Sequence, residues 1–573
     1  MTFFFNITKN TALILLCFFV FTGVVLAGGQ ARYGGELVLA ITSDPKSFNP
    51  VLAKETSTTE ITSRLFEGLT TVDAFDMKVK PNLAQRWDVS PDGLTWTFVL
   101  RGGLRWSDGI ALTADDVVFT FNDLIFNDAV PNSARDIFTI EGHPLKVEKV
   151  DAQTVRFILP CKFAPFLRGM GQEILPKHVL EKAVKEGRFA FTWGIDSPKS
   201  IVGSGAFILE AYQPGQAVVL KRNPFYWKKS DNGDALPYLD RVRYVIVPSM
   251  DVELLKFMEG SIDAYGVRGM DYPLLKPLES ERHFKIYDLG PDMGASFVVF
   301  NQNPGRNMKT GKPYVAPHKL AWFSSRDFRR AVAHAVDKAR IIEIVKNGLG
   351  YPQYSPESPG SGFFYCKDVR KYDYDLNKAR ELLRAAGFKD INNDGVLEDK
   401  DGRPLEFTLL TNADNTERVD IASIIRNDLE SVGMKVNFQL VEFNTLVGKL
   451  TSTFEWDAVV LGLTGSVDPH FGQNVWLSSG QLHMWNPKQT VPATAWEKRI
   501  DEIFAAGAQE LDETKRKAYY DEYQTIVADE VPMVYTALSA RLTAVRNKFG
   551  NLKPAVYGGV FHNLEEIYVE VHP

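Results

Sequence analysis

Hydrophobic and polar positions along the chain predict short strands and helices in alternation. Residues 36–41, Glu-Leu-Val-Leu-Ala-Ile, have strand composition and run into a turn cluster. Residues 95–100 have the same character between two glycine-containing turns. Thr113 then precedes a helix whose first turn contains Asp115 and Asp116, an arrangement that favours an N-cap and complements the helix dipole. The first part of the chain is therefore predicted to be mainly strands with a few helices.

From about residue 325 the pattern changes to helices alternating with strands. Ser325 and Asp375 each precede hydrophobic residues at helical spacing, and Gly387 ends the second of these helices. The pattern then predicts a strand, a helix, a strand, a short helix and a strand over 405–410, 416–432, 436–443, 444–453 and 456–463. This alternation is typical of an open α/β sheet.

The loops that follow the predicted strands are the first candidates for a ligand site, because open α/β sheets bind ligands beyond the carboxyl ends of their strands. The three loops cover 43–49, 411–415 and 464–470. Their candidate ligand-binding residues are Ser47, Phe48, Asn49, Asn412, Thr464, Ser466, Asp468 and His470. The alternative for each polar side chain is an ordinary cap or turn.

A segment with two histidines and two tryptophans overlaps the last of these loops. Trp476 and Trp485 lie close in sequence to His470 and His483. Imidazoles ligate metals and metal chelates, and indole rings make contacts with organic ligands. We therefore add both tryptophans to the candidate ligand-binding residues, with the alternative that the histidines are surface side chains.

Residues 1–31 have the layout of a secretory signal peptide. Lys9 is followed by an almost unbroken apolar run, with small-residue cleavage sites ending at Ala27 and Ala31. The alternative is a retained membrane anchor, for which the run is short. Cys17 lies inside the run rather than after a small residue at its end, so we expect a periplasmic protein that is not a lipoprotein.

Composition and charge narrow the classes of function. Hydrophobic residues make up 45% of the chain and charged residues 24%, as in ordinary globular proteins. The net charge of -6 provides no basic surplus for nucleic acid. No catalytic or nucleotide-binding motif stands out, although a glycosidase pair of carboxylates remains an alternative among so many acids. Cys161 and Cys366 lie far apart in sequence and are predicted to be two independent thiols.

One segment has the spacing of a calcium-binding loop. Asp390, Asn392, Asp394 and Gly395 match the first positions of such a loop. Its last position is Asp401, where a glutamate is usual, and the residues beyond it are predicted to be a strand rather than a helix. The segment therefore predicts either a structural Ca²⁺ site or an Asx-rich turn that leads into a hairpin.

Four blocks of the sequence point to one known family. They are Asp-Pro-Lys-Ser-Phe-Asn-Pro at 44–50, the run around Asp-Gly-Leu-Thr-Trp-Thr-Phe within 84–119, Gly-Ser-Gly-Ala-Phe to Asn-Pro-Phe-Tyr-Trp over 203–227, and Phe-Arg-Arg-Ala-Val to Val-Asp-Lys over 328–338. In these blocks the chain resembles the large periplasmic solute-binding proteins of family 5, which serve ABC importers for oligopeptides, dipeptides and nickel.

The resemblance implies an α/β, two-lobed periplasmic binding protein of the type II, cluster C kind, which closes around its ligand by a hinge motion. It implies an inserted α+β subdomain and a monomer that delivers its ligand to ABC permease subunits in the inner membrane. The implied parts are a signal peptide at 1–31, a first lobe at 32–65, 200–300 and 535–573, an inserted subdomain at 66–199 and a second lobe at 301–534.

The peptide anchors of the family do not carry over directly. Peptide binders of the family hold the ligand's ammonium with an aspartate at the position of Ser466, and Asp468 is a nearby substitute. The dipeptide branch holds the ligand's carboxylate with an arginine where this chain has Asn412. The resemblance therefore favours an oligopeptide held mainly through its backbone. A sugar or a metal chelate is the alternative ligand, and a secreted hydrolase is the alternative class. We predict no catalytic residues and no cofactor besides the structural Ca²⁺.

Overall fold

The computed structural model describes residues 33–52, 56–132, 134–195, 201–413, 415–480 and 482–570. The predicted signal peptide, with Cys17 and both cleavage sites, lies outside the described residues, and so does Asp414. Within the described residues, four β-sheets of three or more strands carry the fold.

The α/β sheet predicted beyond residue 325 is present. Its strands have the order Lys435–Val441, Glu406–Asn412, Ala458–Leu463, Ala295–Phe300 and Met533–Tyr535. The strand Glu406–Asn412 is parallel to both of its neighbours, as predicted, whereas Ala295–Phe300 is antiparallel to both of its own. The strands Ala295–Phe300 and Met533–Tyr535 lie outside the strand–helix alternation in the sequence. The local pattern therefore does not indicate that they belong to this sheet.

Helices cover both faces of this sheet, which explains why the inner strands Ala458–Leu463 and Ala295–Phe300 are hydrophobic at nearly every position. Val298 and Phe300 contribute to one core, and Phe297 and Val299 contribute to the core on the opposite face. The helices of this half of the molecule are Pro317–Ser324, Arg326–Ala335, Lys338–Val345, Leu376–Ala385, Thr416–Glu430, Phe443–Gly448, Gln473–Trp476, Ala495–Gln509 and Glu513–Glu530.

Side-chain caps fix the predicted helix starts. Ser325 and Asp375 each accept a hydrogen bond from a backbone N–H in the first turn of their helices. Thr113 forms a capping box with Asp116. Gly387 follows the helix that Asp375 starts, at a φ of 94° that glycine adopts without strain. These local predictions are confirmed.

Two further sheets form the other half of the molecule. The first has the strand order Glu36–Ile41, Arg241–Ile246, Ala217–Arg222 and Phe207–Gln213, with its first pair parallel. The second is built on the long strand Ala537–Arg546, which pairs with Ala264–Val267, Phe284–Pro291 and Gly350–Pro352. The remaining elements here are the helices Thr56–Leu65, Met250–Glu259 and Tyr272–Leu275 and the hairpin of Phe549–Gly550 with Tyr568–Val569.

An antiparallel sheet lies in the segment predicted to be inserted. Its strand order is Ala84–Val89, Thr95–Leu100, Thr154–Ile158 and Lys146–Lys149. The hairpins Thr70–Val72 with Val79–Pro81 and Thr139–Ile140 with His143–Pro144 accompany it. Its helices are Ala114–Phe119, continued by a wider turn over Thr120–Ile125, and Ala134–Phe138, Phe166–Gly169 and Lys177–Lys185. The segment therefore has the predicted mixture of helix and antiparallel strand.

The sheets bear on two of the predicted lobe boundaries. Ala295–Phe300 pairs within the sheet of the second lobe, although the prediction ends the first lobe at residue 300. Met533–Tyr535 crosses the predicted boundary after residue 534. Pairing between strands far apart in sequence occurs at both places, and the lobe boundaries stay predictions.

Two further observations concern the thiols and the membrane. Cys161 and Cys366 are both free thiols, as predicted. In the part of the chain that the structure describes, no helix has the length and apolar character needed to cross a membrane.

Candidate functional site

The loop that follows the strand Ala458–Leu463 lines three adjoining cavities. The strand-end cavity, of about 460 Å³, lies between the end of this strand and the start of the helix Thr416–Glu430. The aromatic cavity, of about 340 Å³, lies between the loop and Tyr535. The inter-lobe cavity, of about 600 Å³, has Ser466 and Phe471 on one side and the other half of the molecule on its far side. Neighbouring cavities share wall residues, so the three lie side by side along the loop, and together they are called the cleft.

Glycine and serine contacts hold this loop in place. A Cβ atom at Gly465 would lie 1.7 Å from the carbonyl oxygen of Met293, so a side chain there would push the loop away. The hydroxyl of Ser361 donates to the carbonyl of Ser466 at 3.1 Å, which ties the loop to the irregular segment before Phe364. The remaining side of the loop lines the cleft.

Two cations and a helix N-terminus meet in the strand-end cavity. Nη1 of Arg418 donates to Oδ1 of the buried Asn412 at 2.5 Å. Nζ of the buried Lys346 lies 2.5 Å from Oε1 of Glu417 and 2.8 Å from Oγ of Ser539. A basic side chain in a first helical turn opposes the helix dipole. Arg418 therefore contributes positive charge to the cavity at some cost to its helix. Glu417, which pairs with Lys346, and Asp292 also line the cavity, so its charges are of both signs.

The aromatic cavity combines apolar walls with two acids. Trp476 and Tyr535 are among its walls, and Glu357 and Asp468 both line it. Only 8% of Glu357 and 2% of Asp468 is exposed. Two buried acids in one cavity need compensation. Among the described residues an arginine forms an ion pair with one of them, whereas the other has only the hydroxyls of Tyr523 and Ser361.

Asp468 is the compensated acid. Its Oδ2 lies 2.6 Å from Nη1 of Arg516, and its Oδ1 accepts from Nη2 of Arg516 at 2.8 Å and from the backbone N–H of His470 at 3.0 Å. Burial opposes its charge, but Arg516 outweighs burial and lowers the pKa of Asp468. Both carboxylate oxygens therefore have partners within the protein. The predicted role of Asp468 as an ammonium anchor stays a prediction, and the geometry favours a structural role.

The inter-lobe cavity has charged side chains of both signs. Glu67 accepts hydrogen bonds from the hydroxyl of Tyr226 at 2.9 Å and from Nε1 of Trp227 at 2.6 Å. Burial nevertheless raises the pKa of Glu67 to about 7. Lys228 forms an ion pair with Glu565 beside it. The cavity therefore offers partners to polar ligand groups of either sign.

Ser47, Phe48 and Asn49 line none of the three cavities. Phe48 is fully buried, and its ring packs edge-on against Tyr212. Nδ2 of Asn49 donates to Oγ1 of Thr192 at 3.2 Å, and the hydroxyl of Ser47 donates to a carbonyl in the same segment. These residues fasten the loop after the first strand to the inserted segment, and their contact with ligand stays a prediction.

The remaining candidates divide between the cleft and the core. Thr464, Ser466 and Trp476 line the cleft, Thr464 in two of its cavities. Trp485 is buried in the core, where its Nε1 donates to Glu497 at 2.9 Å. His470 and His483 are both buried, so neither is the surface side chain that the sequence alternative assumes.

Sequence reasoning missed Glu357, Lys346, Arg418 and Arg516. Only Arg418 carries a signal in the sequence, because a basic residue in a first helical turn is unfavourable without another reason. Lys346 follows the helix Lys338–Val345 and Arg516 lies in an ordinary charged helix, and their roles depend on distant partners.

The calcium-like segment gathers a different set of acids from the one predicted. Carboxylate oxygens of Asp390, Asp394 and Glu398 lie within 4.8 Å of one another, and Nδ2 of Asn392 donates to Glu398 at 2.9 Å. Asp401, the predicted last position, pairs with an arginine instead. Carboxylate oxygens suit Ca²⁺, and the structural Ca²⁺ stays a prediction.

Comparison with known proteins then decides the family. The family described as bacterial extracellular solute-binding proteins, family 5, middle, matches residues 78–483. The chain belongs to this family. A probable ABC transporter-binding protein of Deinococcus radiodurans is 30% identical to this family 5 chain over 534 residues, which cover 89% of this chain and 88% of that protein.

Oligopeptide-binding protein AppA of Bacillus subtilis is 31% identical over 452 residues, which cover 77% of the family 5 chain and 76% of AppA. The solved structure of AppA in complex with a nonapeptide superposes with a TM-score of 0.72 at 26% identity, covering 95% of this chain and 100% of that one. The family 5 chain therefore has the two-lobed fold of the periplasmic binding proteins, which confirms the predicted fold class.

Proposed function

We propose that the protein is the ligand-capturing component of an ABC importer and that it binds an oligopeptide between its two lobes. The observation that carries the proposal is the cleft along the loop after Leu463, in which three cavities adjoin one another. An extended peptide rises about 3.3 Å per residue and can reach from one cavity to the next along the loop, which a compact solute cannot do. The relative AppA, named for oligopeptides and solved with a nonapeptide, supports the same ligand class.

The charges of the cleft suit a peptide terminus. Arg418 and the N-terminus of the helix Thr416–Glu430 lie in the strand-end cavity, where Lys346 is already paired with Glu417. A carboxylate there would form charge-assisted hydrogen bonds. The remainder of the peptide would lie along the loop at 463–471, whose backbone groups offer sequence-independent partners.

Capture by lobe closure follows from the contacts beside the cleft. The N–H of Ala164 in the inserted segment donates to the carbonyl of Ala508 in the second lobe at 2.6 Å. Nε2 of Gln509 donates to Oε1 of Glu141 at 2.8 Å. In this proposal such contacts stabilise the closed arrangement, and a ligand that contacts both sides would favour it further.

The export signal predicted at 1–31 supports a periplasmic location, with ABC permease subunits as the partner in the membrane. In this proposal the protein delivers its ligand unchanged, so it is a binding protein rather than an enzyme. The net charge of -6 favours no association with nucleic acid.

Calorimetry with defined peptides of increasing length tests the proposal, with raffinose and a nickel–histidine chelate as the alternative ligands. We expect peptides longer than dipeptides to bind, to remain intact in mass spectra, and to reduce the radius of gyration in small-angle scattering. Binding of raffinose or the chelate in place of peptides would contradict the ligand class. Cleavage of a bound peptide would contradict the assignment as a binding protein.

A further inference from the structure

Glu357 is an acid without a counter-ion in the cleft. It belongs to the irregular segment before the turn at Pro359–Phe364, lines the aromatic cavity and is 8% exposed. In the part of the chain that the structure describes, no lysine, arginine or histidine forms an ion pair with it, and the charge that acts on it is that of a second acid, Asp468. A buried carboxyl in such a place is neutral until a cation arrives.

The groups around Glu357 do not replace that cation. Asp468 already engages Arg516, and Arg168 approaches Asp468 to 3.9 Å rather than Glu357. His470 is neutral at neutral pH, since burial lowers its pKa to about 4. The other titratable groups that face Glu357 are uncharged hydroxyls of the helix and strand behind the cavity, those of Tyr520, Tyr523 and Tyr535.

The walls of the cavity suit an organic cation. Trp476, Tyr535 and Phe471 line it together with Leu482 and Met533. Aromatic faces attract cations, and the attraction grows when the site excludes water. With a volume of about 340 Å³, the cavity has room for an ammonium group together with an apolar substituent.

We infer that Glu357 is the side chain that binds a cationic amine of the ligand in the aromatic cavity. The inference rests on the proposed function, since the amine would be the terminal ammonium of a captured peptide or the side chain of one of its lysines. Asp468 is then a positioning residue that holds the loop, and Glu357 supplies the charge that selects the ligand.

Binding of the amine should release a proton. Burial and the charge of Asp468 raise the pKa of Glu357 to about 8, so the empty cavity contains the protonated acid at neutral pH. The carboxylic acid and the ammonium then form a carboxylate–ammonium pair, and the proton of the acid passes to the buffer. Release should approach one proton per amine at neutral pH and disappear in clearly alkaline buffer.

Calorimetry with two small probes tests the inference independently of any peptide. The probes are 2-phenylethylamine and the uncharged 2-phenylethanol, each titrated in phosphate and in Tris at neutral pH. We expect Glu357→Gln to weaken amine binding by roughly 30-fold or more and to change alcohol binding little. The amine should release a proton from the wild-type protein and none from the variant. The exposed acid Glu381 on the helix Leu376–Ala385 provides the matched control, and Glu381→Gln should behave as wild type.

A pool of random pentapeptides, prepared with free and with acetylated N-termini, separates the two sources of the amine. If the protein retains the free pool but not the acetylated one, the bound amine is the terminal ammonium. If lysine peptides are enriched among the retained acetylated peptides, the bound amine is the lysine side chain. Glu357→Gln should abolish either preference. Failure of both pools to bind would contradict the proposed function alone, and the phenylethylamine result would still decide the role of Glu357. Equal binding of amine and alcohol, unchanged in Glu357→Gln and without proton release, would overturn the inference.

Discussion

Asp468 and Arg516 form a two-point ion pair in the interior of the second lobe, 48 residues apart in sequence. Nη1 and Nη2 of Arg516 lie 2.6 and 2.8 Å from the two carboxylate oxygens. Only 5% of the Arg516 side chain and 2% of the Asp468 side chain is exposed. The pair attaches the loop after the strand Ala458–Leu463 to the helix Glu513–Glu530, and it thereby fixes one wall of the cleft.

We expect Asp468→Asn to lower the free energy of unfolding by about 3–5 kcal/mol, because the guanidinium of Arg516 would stay buried without its counter-charge. A role for Asp468 as a free ligand anchor predicts the opposite, a loss of binding with unchanged stability. Urea denaturation of the unliganded protein distinguishes the two. The exposed pair of Arg86 with Asp88 is the control, and Asp88→Asn should change stability by less than about 1 kcal/mol.

Glu497 should make the second lobe sensitive to acid. Burial opposes its charge, but hydrogen bonds from His483, Trp485 and Thr494 outweigh burial and lower its pKa from 4.5 to about 2. The folded protein therefore binds fewer protons than the unfolded chain between these values. The stabilisation is complete above the unfolded pKa and is lost as the pH falls through the folded one. Glu497→Gln should lower the melting temperature at neutral pH, and its difference from wild type should shrink towards about pH 3. A difference that stays constant with pH would contradict this origin.

Calcium should stabilise the protein if the acids of the calcium-like segment bind it. A ligand at about 100 times its dissociation constant adds about 2.7 kcal/mol to the free energy of unfolding. We expect EDTA to lower the melting temperature by a few degrees and CaCl₂ to restore it, with Asp394→Ala abolishing both effects. Asp401 pairs with an arginine and lies outside this set of acids. The Asp401→Asn variant should therefore retain the response of the melting temperature to EDTA and CaCl₂. Identical melting curves with EDTA and with CaCl₂ would contradict the Ca²⁺ site and favour the Asx-rich turn.

Arg168 should favour the closed form of the cleft. Its Nε lies 3.9 Å from Oδ2 of Asp468, across the contact between the inserted segment and the second lobe. We expect Arg168→Gln to weaken peptide binding roughly 2- to 5-fold, because the 3.9 Å pair is long and Asp468 retains Arg516 as its nearer counter-charge. Scattering should show a smaller compaction at equal peptide concentration. Arg86→Gln, at an exposed residue that pairs with Asp88, is the control. An unchanged affinity for Arg168→Gln would place closure on the Ala164–Ala508 and Gln509–Glu141 contacts.

Part of the candidate site follows from the sequence. The strand–helix alternation after residue 405 places Thr464 and Ser466 at a strand end, and both line the cleft. Ser47, Phe48 and Asn49 also follow a strand, yet they are packed against the inserted segment. The strand-end rule identifies which loops lie at an edge of a sheet, but it does not say which of them face the opposing lobe.

The sequence by itself determined the local elements. Caps such as Thr113, Ser325 and Asp375 and the strands around them depend on interactions within a few residues, which a pattern contains in full. Only the tertiary structure decided that Asp468 has a buried arginine and that Glu357 has no counter-ion among the residues that the structure describes. The sequence shows each acid in an ordinary turn. Its charge state and role depend on which distant side chains the packing brings to it, because burial and counter-charge are properties of the assembled fold.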